Sequence, residues 1–381
     1  MAMVESAMKN SSLAVVVMVK NEALAIADTL NPFLKAGVTH FLVLDTGSTD
    51  DTVAIAKSLL ATMPNAHVIQ EPFVDFATSR NRALVLAEEA FPNIPFLLML
   101  DAEWHCHEIP ALLHFCDSER HSNTPLYLLK VIMNRTFEFY VPRLFRTNAK
   151  ARFEGVVHEV PTIATTHKVP ECYITYAGSE TGIQKTKKRW ERDLALLKAE
   201  HQKKPQQPRT VFYLAQTYEC LGNLKAAYRF YLKRAMLTGF DEELFITHFR
   251  LGGLAQMLSQ SDKQFTFDIA KQHYETAFGL RPHRIEPLVK LADYYWPNNV
   301  ALCYLYAKHA CDTPFPIQDL LFIEKEMYAY TRYEILSRCA WYMGDYQKGL
   351  LATKQALVHS PNTPHLLRNL QLYQKKMSLA I

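Results

Sequence analysis

Acidic side chains cluster at two places in the first third of the chain, each directly after a short apolar run. The run 42–44 leads into the segment 45–52, which begins with Asp45, and the run 96–100 leads into Asp101 and Glu103. A buried parallel strand that ends in carboxylates delivers them to the edge of a sheet, where open α/β sheets bind ligands. Two such edges in one domain predict a nucleotide site and a divalent metal site.

The elements that must position these carboxylates follow from an alternation of strand-like and helical runs before residue 180. Strands are expected over 13–19, 41–44, 67–70 and 96–100, and helices over 22–36, 52–61 and 76–91. This order is typical of βαβ units and a parallel sheet. We therefore predict an α/β, Rossmann-like first domain over residues 1–182.

The second half of the chain has a different pattern, helical nearly to its end and without strand-like runs. Copies of an approximate tetratricopeptide pattern cover 211–231, 248–282, 288–314 and 332–361. This pattern repeats about every 34 residues, and stacked helix pairs share a continuous core. We predict an all-α, tetratricopeptide-like domain over 209–381 that binds a protein segment. A structural cap or a dimer surface is the alternative interpretation, so a homodimer stays open.

A basic stretch joins the two halves. Residues 185–209 contain nine Lys and Arg against three acidic residues. We predict a basic helical linker over 183–208, which could attract phosphates or an acidic partner. The solvated face of a helix explains the same charges.

Composition restricts the class of protein. The 381 residues are 49% hydrophobic and 12% aromatic, which is typical of a folded chain, and the net charge of +4 gives no argument for nucleic acid as a partner. Seven cysteines without paired spacing favour a reducing compartment. The first eleven residues lack the apolar stretch of a signal peptide, and the longest apolar runs fall well short of the roughly 18 residues of a membrane span. A cytoplasmic location without a membrane span is expected.

Six motifs in order resemble those of the family 2 glycosyltransferases of the GT-A fold. They are Val-Lys-Asn-Glu at 19–22, the segment 45–52, Ser-Arg-Asn-Arg-Ala-Leu at 79–84, Asp-Ala-Glu at 101–103, Arg-Leu-Phe-Arg at 143–146 and Glu-Gly-Val-Val-His-Glu at 154–159. With the helical repeats, the chain is similar to bacterial and viral glycosyltransferases that include the peptide S-glycosyltransferases of bacteriocin biosynthesis. The resemblance covers nearly the whole chain. Each motif alone is weak, but six in order are specific.

The resemblance implies a UDP-sugar donor. Asp45 matches the aspartate that accepts the uracil imide N–H, although it could instead cap the helix that follows Ser48. Arg80 offers a planar fork for uracil or phosphate, with a surface salt bridge as the alternative. The implied nucleotide-sugar-binding residues are Val19, Asn21, Glu22, Asp45, Gly47, Ser48, Arg80, Asp101 and Ala102, although capping also explains Asn21 and Glu22.

The resemblance also implies a divalent cation, Mn²⁺ or Mg²⁺. Asp101 and Glu103 can point the same way from a strand, and their oxygens suit a hard cation. The family usually has a second aspartate where this chain has Glu103, so its coordination could pass through water. His158 is the implied third ligand. His105 and His107 lie nearby in the sequence and are interpreted as loop histidines.

An inverting transfer requires a base near the acceptor nucleophile. Glu159 is the leading candidate, or else it orients His158. The other candidate bases are Asp75, Glu154 and Glu180. Arg143 and Arg146 are candidates for binding phosphate or acceptor charge, with a structural role equally open.

The function implied by the resemblance is that of a metal-dependent inverting glycosyltransferase. It would move a hexose from a UDP-sugar, with UDP-glucose or UDP-N-acetylglucosamine favoured, to a protein, peptide or glycan. Two alternatives stay open. A nucleotidyltransferase would normally show a glycine-rich phosphate loop near the first strand, and residues 19–22 contain no glycine. A non-catalytic scaffold with a vestigial nucleotide site would not need the acidic residues and His158 intact.

Overall fold

The chain divides into two compact units, Met1–Lys188 and Arg189–Ile381. The computed structural model describes residues 12–133, 137–176 and 182–378. The boundary between the units falls inside one long helix, Gly182–Lys203. The basic stretch is therefore helical over most of its length.

The described part of the first unit is a mixed sheet of eight strands with helices on both faces. The strands follow the order β3-β2-β1-β4-β7-β6-β10-β5. A separate pair is formed by the short strands β8 and β9. The elements in chain order are β1 (Leu13–Val19), α1 (Ile26–Lys35), β2 (His40–Asp45), α2 (Thr52–Leu60), β3 (Asn65–Gln70), α3 (Phe76–Ala90), β4 (Phe96–Asp101), β5 (Trp104–His107), α4 (Ile109–Ser118), β6 (Leu126–Met133), β7 (Phe137–Arg146), a 3₁₀ turn (Thr147–Ala149), β8 (Phe153–Glu154), β9 (Val160–Pro161), β10 (Lys168–Tyr176) and α5 (Gly182–Lys203).

The parallel sheet predicted from the sequence is present in the half of the sheet formed by β3, β2, β1 and β4. Beyond β4 the sheet becomes mixed, because β7 runs antiparallel to both β4 and β6. Only three residues separate β6 from β7, and so short a connection cannot make the crossover that parallel strands require. The sequence prediction was therefore right for the first four strands and incomplete for the rest.

The apolar run of β1 is continuous because both faces of this strand are buried. Leu13, Val15 and Val17 pack into the core on one face, and Ala14 and Val16 pack into the core on the other. A central parallel strand covered by helices on both sides needs apolar residues at every position. The burial agrees with the position of β1 inside the parallel half, between β2 and β4.

The two acidic strand ends lie on either side of β1. In the strand register, Val19 of β1 pairs with Asp45 of β2, and Met18 pairs with Asp101 of β4. Both carboxylates therefore lie at the same edge of the sheet, on the two strands that flank β1. In open α/β sheets, this edge is where ligands bind.

The described part of the second unit is made almost entirely of helices, and consecutive helices pack against one another. A two-residue strand, Ile323–Glu324, is an exception that the helical prediction missed. Nowhere in the described ranges does a helix combine the length and apolar character of a membrane span. After α5, the helices are α6 (Pro208–Cys220), α7 (Leu224–Ala235), α8 (Asp241–Leu258), α9 (Phe267–Leu280), α10 (Glu286–Tyr295), α11 (Val300–Asp312), a π-helical turn (Met327–Thr331), α12 (Arg332–Cys339), α13 (Tyr346–His359) and α14 (Pro364–Ser378).

Glycines allow two helix pairs of this unit to approach closely. A Cβ atom on Gly252 of α8 would lie 2.5 Å from the ring of Tyr274 in α9. A Cβ atom on Gly349 of α13 would lie 2.2 Å from the ring of Tyr373 in α14. The same device, a glycine under a tyrosine of the next helix, thus recurs in two helix pairs, as expected of a repeat.

Two histidines of the second unit face each other in a partly buried position. The Nδ1 atoms of His248 and His273 lie 3.3 Å apart, and the Tyr228 hydroxyl lies 3.3 Å from Nε2 of His273. Burial, and then the neighbouring His248, lower the pKa of His273 to about 4. Burial also lowers the pKa of His248. The pair is therefore neutral at physiological pH.

We expect this pair to make the second unit sensitive to acid. An unfolded imidazole takes up a proton below its ordinary pKa of 6.5, whereas folded His273 does so only near pH 4. The contribution of neutral His273 to the free energy of unfolding is therefore fully present above pH 6.5 and is lost as the pH falls toward 4. Chemical denaturation at pH 7 and pH 5 measures this loss, which should shrink in His273→Gln. An identical loss in His273→Gln and in the exposed control His359→Gln would contradict the expectation.

Candidate functional site

The loops after β1 and β2 are joined by hydrogen bonds between side chains and backbone. The Asn21 backbone N–H donates to the Ser48 hydroxyl at 2.8 Å, and the Thr49 backbone N–H donates to the Asn21 side-chain oxygen at 2.7 Å. Glu22 N–H donates to the Thr52 hydroxyl at 2.8 Å. Asn21 has a positive φ of 58°, which asparagine tolerates better than most residues. The predicted residues Asn21, Glu22 and Ser48 thus shape one rigid edge.

Asp45 lies under this edge and is fully buried, at 0% exposure. Its carboxylate accepts from the N–H groups of Gly47 at 3.2 Å and Ser48 at 3.1 Å, and from the Gln70 amide at 3.4 Å. Gly47 has a positive φ of 100°, so the turn favours glycine. The first N–H of α2 donates to Asp50 at 3.1 Å. Asp45 therefore holds the turn, while Asp50 binds the start of the helix.

The central feature of the site is a cluster of two arginines and two carboxylates. Arg80, in the first turns of α3, donates to Asp101 at 2.5 Å and forms a short hydrogen bond to Glu159. Arg143 of β7 lies 3.9 Å from Asp101 and 3.7 Å from Glu159. The structure thus brings together four of the predicted residues from four separate segments.

Arg143 reaches the cluster from a β-bulge. In the ladder of β6 and β7, Leu128 pairs with Pro142 and Tyr127 pairs with Leu144, so Arg143 is the extra residue on its strand. A bulge bends its strand and redirects a side chain, and bulges are frequent next to active sites. The guanidinium of Arg143 consequently points to the acidic edge of the sheet.

The two guanidinium groups experience different fields. Burial disfavours the charge of Arg80, but Asp101 and Glu159 outweigh burial and raise its pKa above the ordinary value. Burial, and then the charge of Arg80, lower the pKa of Arg143 to about 10. Within the described ranges, two buried donors of this cluster, Arg80 Nη1 and Arg143 Nε, have no hydrogen-bond partner. Buried donors are normally satisfied, so these two favour an additional acceptor at this point.

Two aromatic rings that the sequence interpretation missed pack against the guanidinium groups. The Cζ atom of Arg143 lies 5.1 Å from the Trp104 ring and 5.4 Å from the Phe153 ring. The Cζ atom of Arg80 lies 5.9 Å from the Phe153 ring. The available signal was position, since both aromatic residues directly adjoin predicted motifs.

The predicted metal ligands Asp101, Glu103 and His158 do not form a metal-binding group here. Among the residues that the structure describes, no three or more His, Cys, Asp or Glu side chains are arranged to hold an ion. Asp101, whose side chain is 29% exposed, instead lies against Arg80 and Arg143. The carboxylates have the right chemistry for a hard cation, but their present arrangement does not fit one.

His105 and His107 lie in strand β5, not in the loop that the sequence predicted. This strand pairs with β10, nearly seventy residues later, and such a distant partner is invisible to a local pattern. His107 lies 2.7 Å from the Thr175 hydroxyl and stacks on Tyr173 at 4.7 Å. Both contacts are to β10.

Arg146 lies apart from the cluster. Its guanidinium donates to the carbonyls of Glu119, Arg120 and Thr124 at 2.8, 3.1 and 3.0 Å and covers the Phe96 ring. These contacts hold β7 to the segment after α4. Of the two arginines predicted to bind phosphate or acceptor, only Arg143 is at the site.

The remaining candidates are distributed around this edge. Asp75 caps α3 by accepting from Thr78 N–H at 2.7 Å, and Glu154 is exposed. Glu180 falls outside the described residues. Val19 and Ala102 are buried, and they contribute backbone carbonyls: Val19 accepts from Thr46 at 2.9 Å, and Ala102 from the Thr29 hydroxyl.

Comparison with known proteins identifies the class of the first unit. Residues 14–167 match the model of the family described as glycosyl transferase family 2, so the chain carries a domain of this family. The predicted family resemblance is thereby confirmed for the first unit.

Two curated relatives and one solved structure extend the comparison. The chain is 26% identical over 234 residues to the SPbeta prophage-derived glycosyltransferase SunS of Bacillus subtilis (strain 168) and to glycosyltransferase SunS of Bacillus phage SPbeta. Each alignment covers 58% of this chain and 52% of the relative, so the chain spans about half the length of the curated relatives it matches. The C-terminal part of a TPR repeat-containing protein from Cytophaga hutchinsonii is 15% identical at a TM-score of 0.35, over 47% of this chain and 62% of that one.

Proposed function

We propose that this protein is an inverting glycosyltransferase that moves a hexose from a UDP-sugar to a protein, peptide or glycan acceptor. UDP-glucose and UDP-N-acetylglucosamine are the favoured donors. The observation that carries the proposal is the cluster of buried Arg80, Arg143 and Glu159 with partly exposed Asp101. It has two unpartnered guanidinium donors and lies in a glycosyl transferase family 2 domain.

The proposed reaction is a single displacement at the anomeric carbon. The acceptor nucleophile forms a bond to this carbon while the bond from the carbon to the diphosphate oxygen breaks. UDP leaves with the electron pair, and the acceptor proton passes to a base. The unpartnered donors of Arg80 and Arg143 are suited to a diphosphate, since guanidinium groups bind phosphate oxygens in pairs and stabilise the charge that develops on the leaving group.

Glu159 is the proposed base, and its contacts define what that role requires. Its side chain is 6% exposed and forms an ion pair with Arg80, with Arg143 at 3.7 Å. A proton taken up by Glu159 would break these ion pairs. We propose that the donor diphosphate draws Arg80 toward itself and so leaves Glu159 able to accept the proton.

A divalent cation is a finer part of the proposal. Its support is the Asp101 carboxylate with Glu103 two residues later in the turn before β5. The present contacts of Asp101 with the two arginines oppose it. The displacement described above is accordingly assigned to groups of the protein itself. Activity measured with and without a chelator decides whether a divalent cation takes part.

We propose that the second unit presents the acceptor. Large apolar side chains are exposed on it, among them Met236, Leu305 and Tyr342. Surfaces of this kind favour a protein or peptide partner. A cytoplasmic location agrees with the seven unpaired thiols of the described residues.

A panel of UDP-sugars scored for UDP release tests the proposed activity. Wild-type protein should release UDP from a hexose donor, and nuclear magnetic resonance of the product should show inversion at the anomeric carbon. Mass spectrometry of peptides and proteins from host lysate would then identify the hexosylated acceptor. Failure of every donor to bind or turn over, in a folded protein with and without Mn²⁺, would contradict the proposal.

Asp45→Ala should weaken UDP binding by about 1–3 kcal/mol, the cost of leaving a buried hydrogen-bonding group without its partner. Isothermal titration calorimetry measures the affinity. Because the Asp45 carboxylate also accepts hydrogen bonds from Gly47 and Ser48, a melting curve of the variant must show that the fold is retained. Asp51→Ala is the matched control, since Asp51 is an exposed acid of the same loop. Equal affinities of the two variants would reduce Asp45 to a turn residue.

A further inference from the structure

The carboxylate of Glu159 is carried by a hairpin that is very short. Strands β8 and β9 form only two residue pairs, Phe153 with Pro161 and Glu154 with Val160. The connecting residues 155–159 include two with positive φ, Gly155 at 106° and His158 at 53°. An isolated two-stranded hairpin is marginal at best in water, so this one needs support from outside.

Asn81 supplies that support at the centre of the hairpin. Its side-chain N–H donates to the Phe153 carbonyl at 2.9 Å, and its side-chain oxygen accepts from the Phe153 N–H at 2.7 Å. The amide thus satisfies both backbone groups of one residue, as a neighbouring strand would. The ring of Phe153 is consequently held against Arg80 and Arg143.

Glu88, seven residues later on α3, holds the base of the same hairpin. Its carboxylate accepts from Arg152 at 2.7 and 2.9 Å and from Lys150 at 2.8 Å. The helix therefore carries three attachments along its length: Arg80 to Glu159, Asn81 to Phe153, and Glu88 to Arg152.

We propose that Asn81 is a positioning residue for the transfer reaction. It fixes the hairpin on α3 so that Glu159 and the Phe153 ring meet the two guanidinium groups. The inference rests on the proposed function for its catalytic consequence, but the attachment itself can be measured without activity. The hydrogen bonds described for the Asn81 side chain go to Phe153 and not to Glu159 or the loops after β1 and β2, so its loss should affect turnover more than donor binding.

The first arm of the test is hydrogen exchange of the full chain. Asn81→Ala should speed amide exchange in the segment 150–162 by about tenfold or more while the strands β1 and β4 keep their protection, because local opening and global unfolding are separable. Asn81→Asp keeps the acceptor for Phe153 N–H and loses the donor, so it should be intermediate. Glu89→Ala is the matched control, since Glu89 is exposed on the same helix.

The second arm is the kinetics of UDP release. Misplacement of a reacting group by about 1 Å can cost about a hundredfold, so kcat of Asn81→Ala should fall about 10- to 100-fold while the KM for the donor stays within about threefold. A general loss of structure would instead alter KM, kcat and melting temperature together.

The two arms separate the possible failures. Exchange in 150–162 that matches the Glu89→Ala control would overturn the attachment, and normal kcat despite faster exchange would overturn its catalytic role. A wild-type protein inactive with every UDP-sugar would contradict the proposed function, and the exchange comparison would still decide whether Asn81 holds the hairpin. Should Asn81→Ala fail to fold, Asn81→Asp carries both arms.

Discussion

Arg80→Ala is expected to abolish sugar transfer and to destabilise the first unit by about 3–5 kcal/mol, the usual cost of removing one partner from a buried ion pair. Arg80 is buried and is shared by Asp101 and Glu159, so its removal leaves Glu159 at 6% exposure without its closest positive charge. Because Arg143 remains 3.7 Å from Glu159 and still offers it a positive charge, we expect a loss of stability at the lower end of this range. Denaturation by urea and the UDP-release assay measure the two effects.

Two further variants separate charge, geometry and helix surface. Arg80→Lys keeps the positive charge but loses the planar fork, so it should recover part of the stability and little of the activity. Arg82→Ala removes the next arginine of α3, whose ion pair with Glu71 is exposed and is worth under about 1 kcal/mol. Equal denaturation midpoints for Arg80→Ala and Arg82→Ala would contradict a buried, shared ion pair.

The central strands were predictable because burial on both faces leaves a local signature. Strand β1, Leu13–Val19, has the bounds that the apolar run predicts, and β4 extends the predicted run by one residue to Asp101. Asp45 and Asp101 could be assigned to one edge because parallel strands end at the same side of a sheet. This part of the site needs only local patterns and a rule of topology.

The partner of each charged group was not predictable, because it depends on contacts between distant segments. Arg80 and Glu159 are 79 residues apart, and no pattern in the sequence pairs them. The division between Arg143 and Arg146 depends on a bulge at Arg143, which appears only once β6 and β7 are paired. The strand assignment of His105 and His107 likewise depends on β10.

Roles inferred from the motifs also changed in detail once the contacts were known. Glu159 was expected to act as base or to orient His158, and the structure adds a third relation, its ion pair with Arg80. The sequence indicated Asn81 only as part of a motif, whereas its two hydrogen bonds to Phe153 reveal a specific structural task. A motif thus located the residues, and the fold supplied their partners.

Asp101→Ala is expected to lower transfer by about a thousandfold, since removal of one preorganised group that stabilises charge at a reacting centre costs about 10²–10³ in rate. The fold should persist, because Arg80 keeps its ion pair with Glu159 and the Asp101 side chain is already 29% exposed. Rates of UDP release measure the loss of transfer, and melting temperatures of the variant and the wild type show whether the fold persists. A wild-type rate of turnover in Asp101→Ala would contradict a role for Asp101 in the reaction.

Chelation decides what Asp101 does. If Asp101 binds a cation during turnover, EDTA should abolish wild-type activity, Mn²⁺ should restore it, and Mn²⁺ should leave Asp101→Ala inactive. Glu103→Ala then reports on the second carboxylate, because loss of a ligand raises the Mn²⁺ concentration needed for half-maximal rate, whereas a residue outside the metal shell leaves it unchanged. If wild-type activity persists in EDTA while Asp101→Ala is inactive, the carboxylate acts by holding Arg80, and the two arginines carry the charge of the leaving diphosphate without a metal.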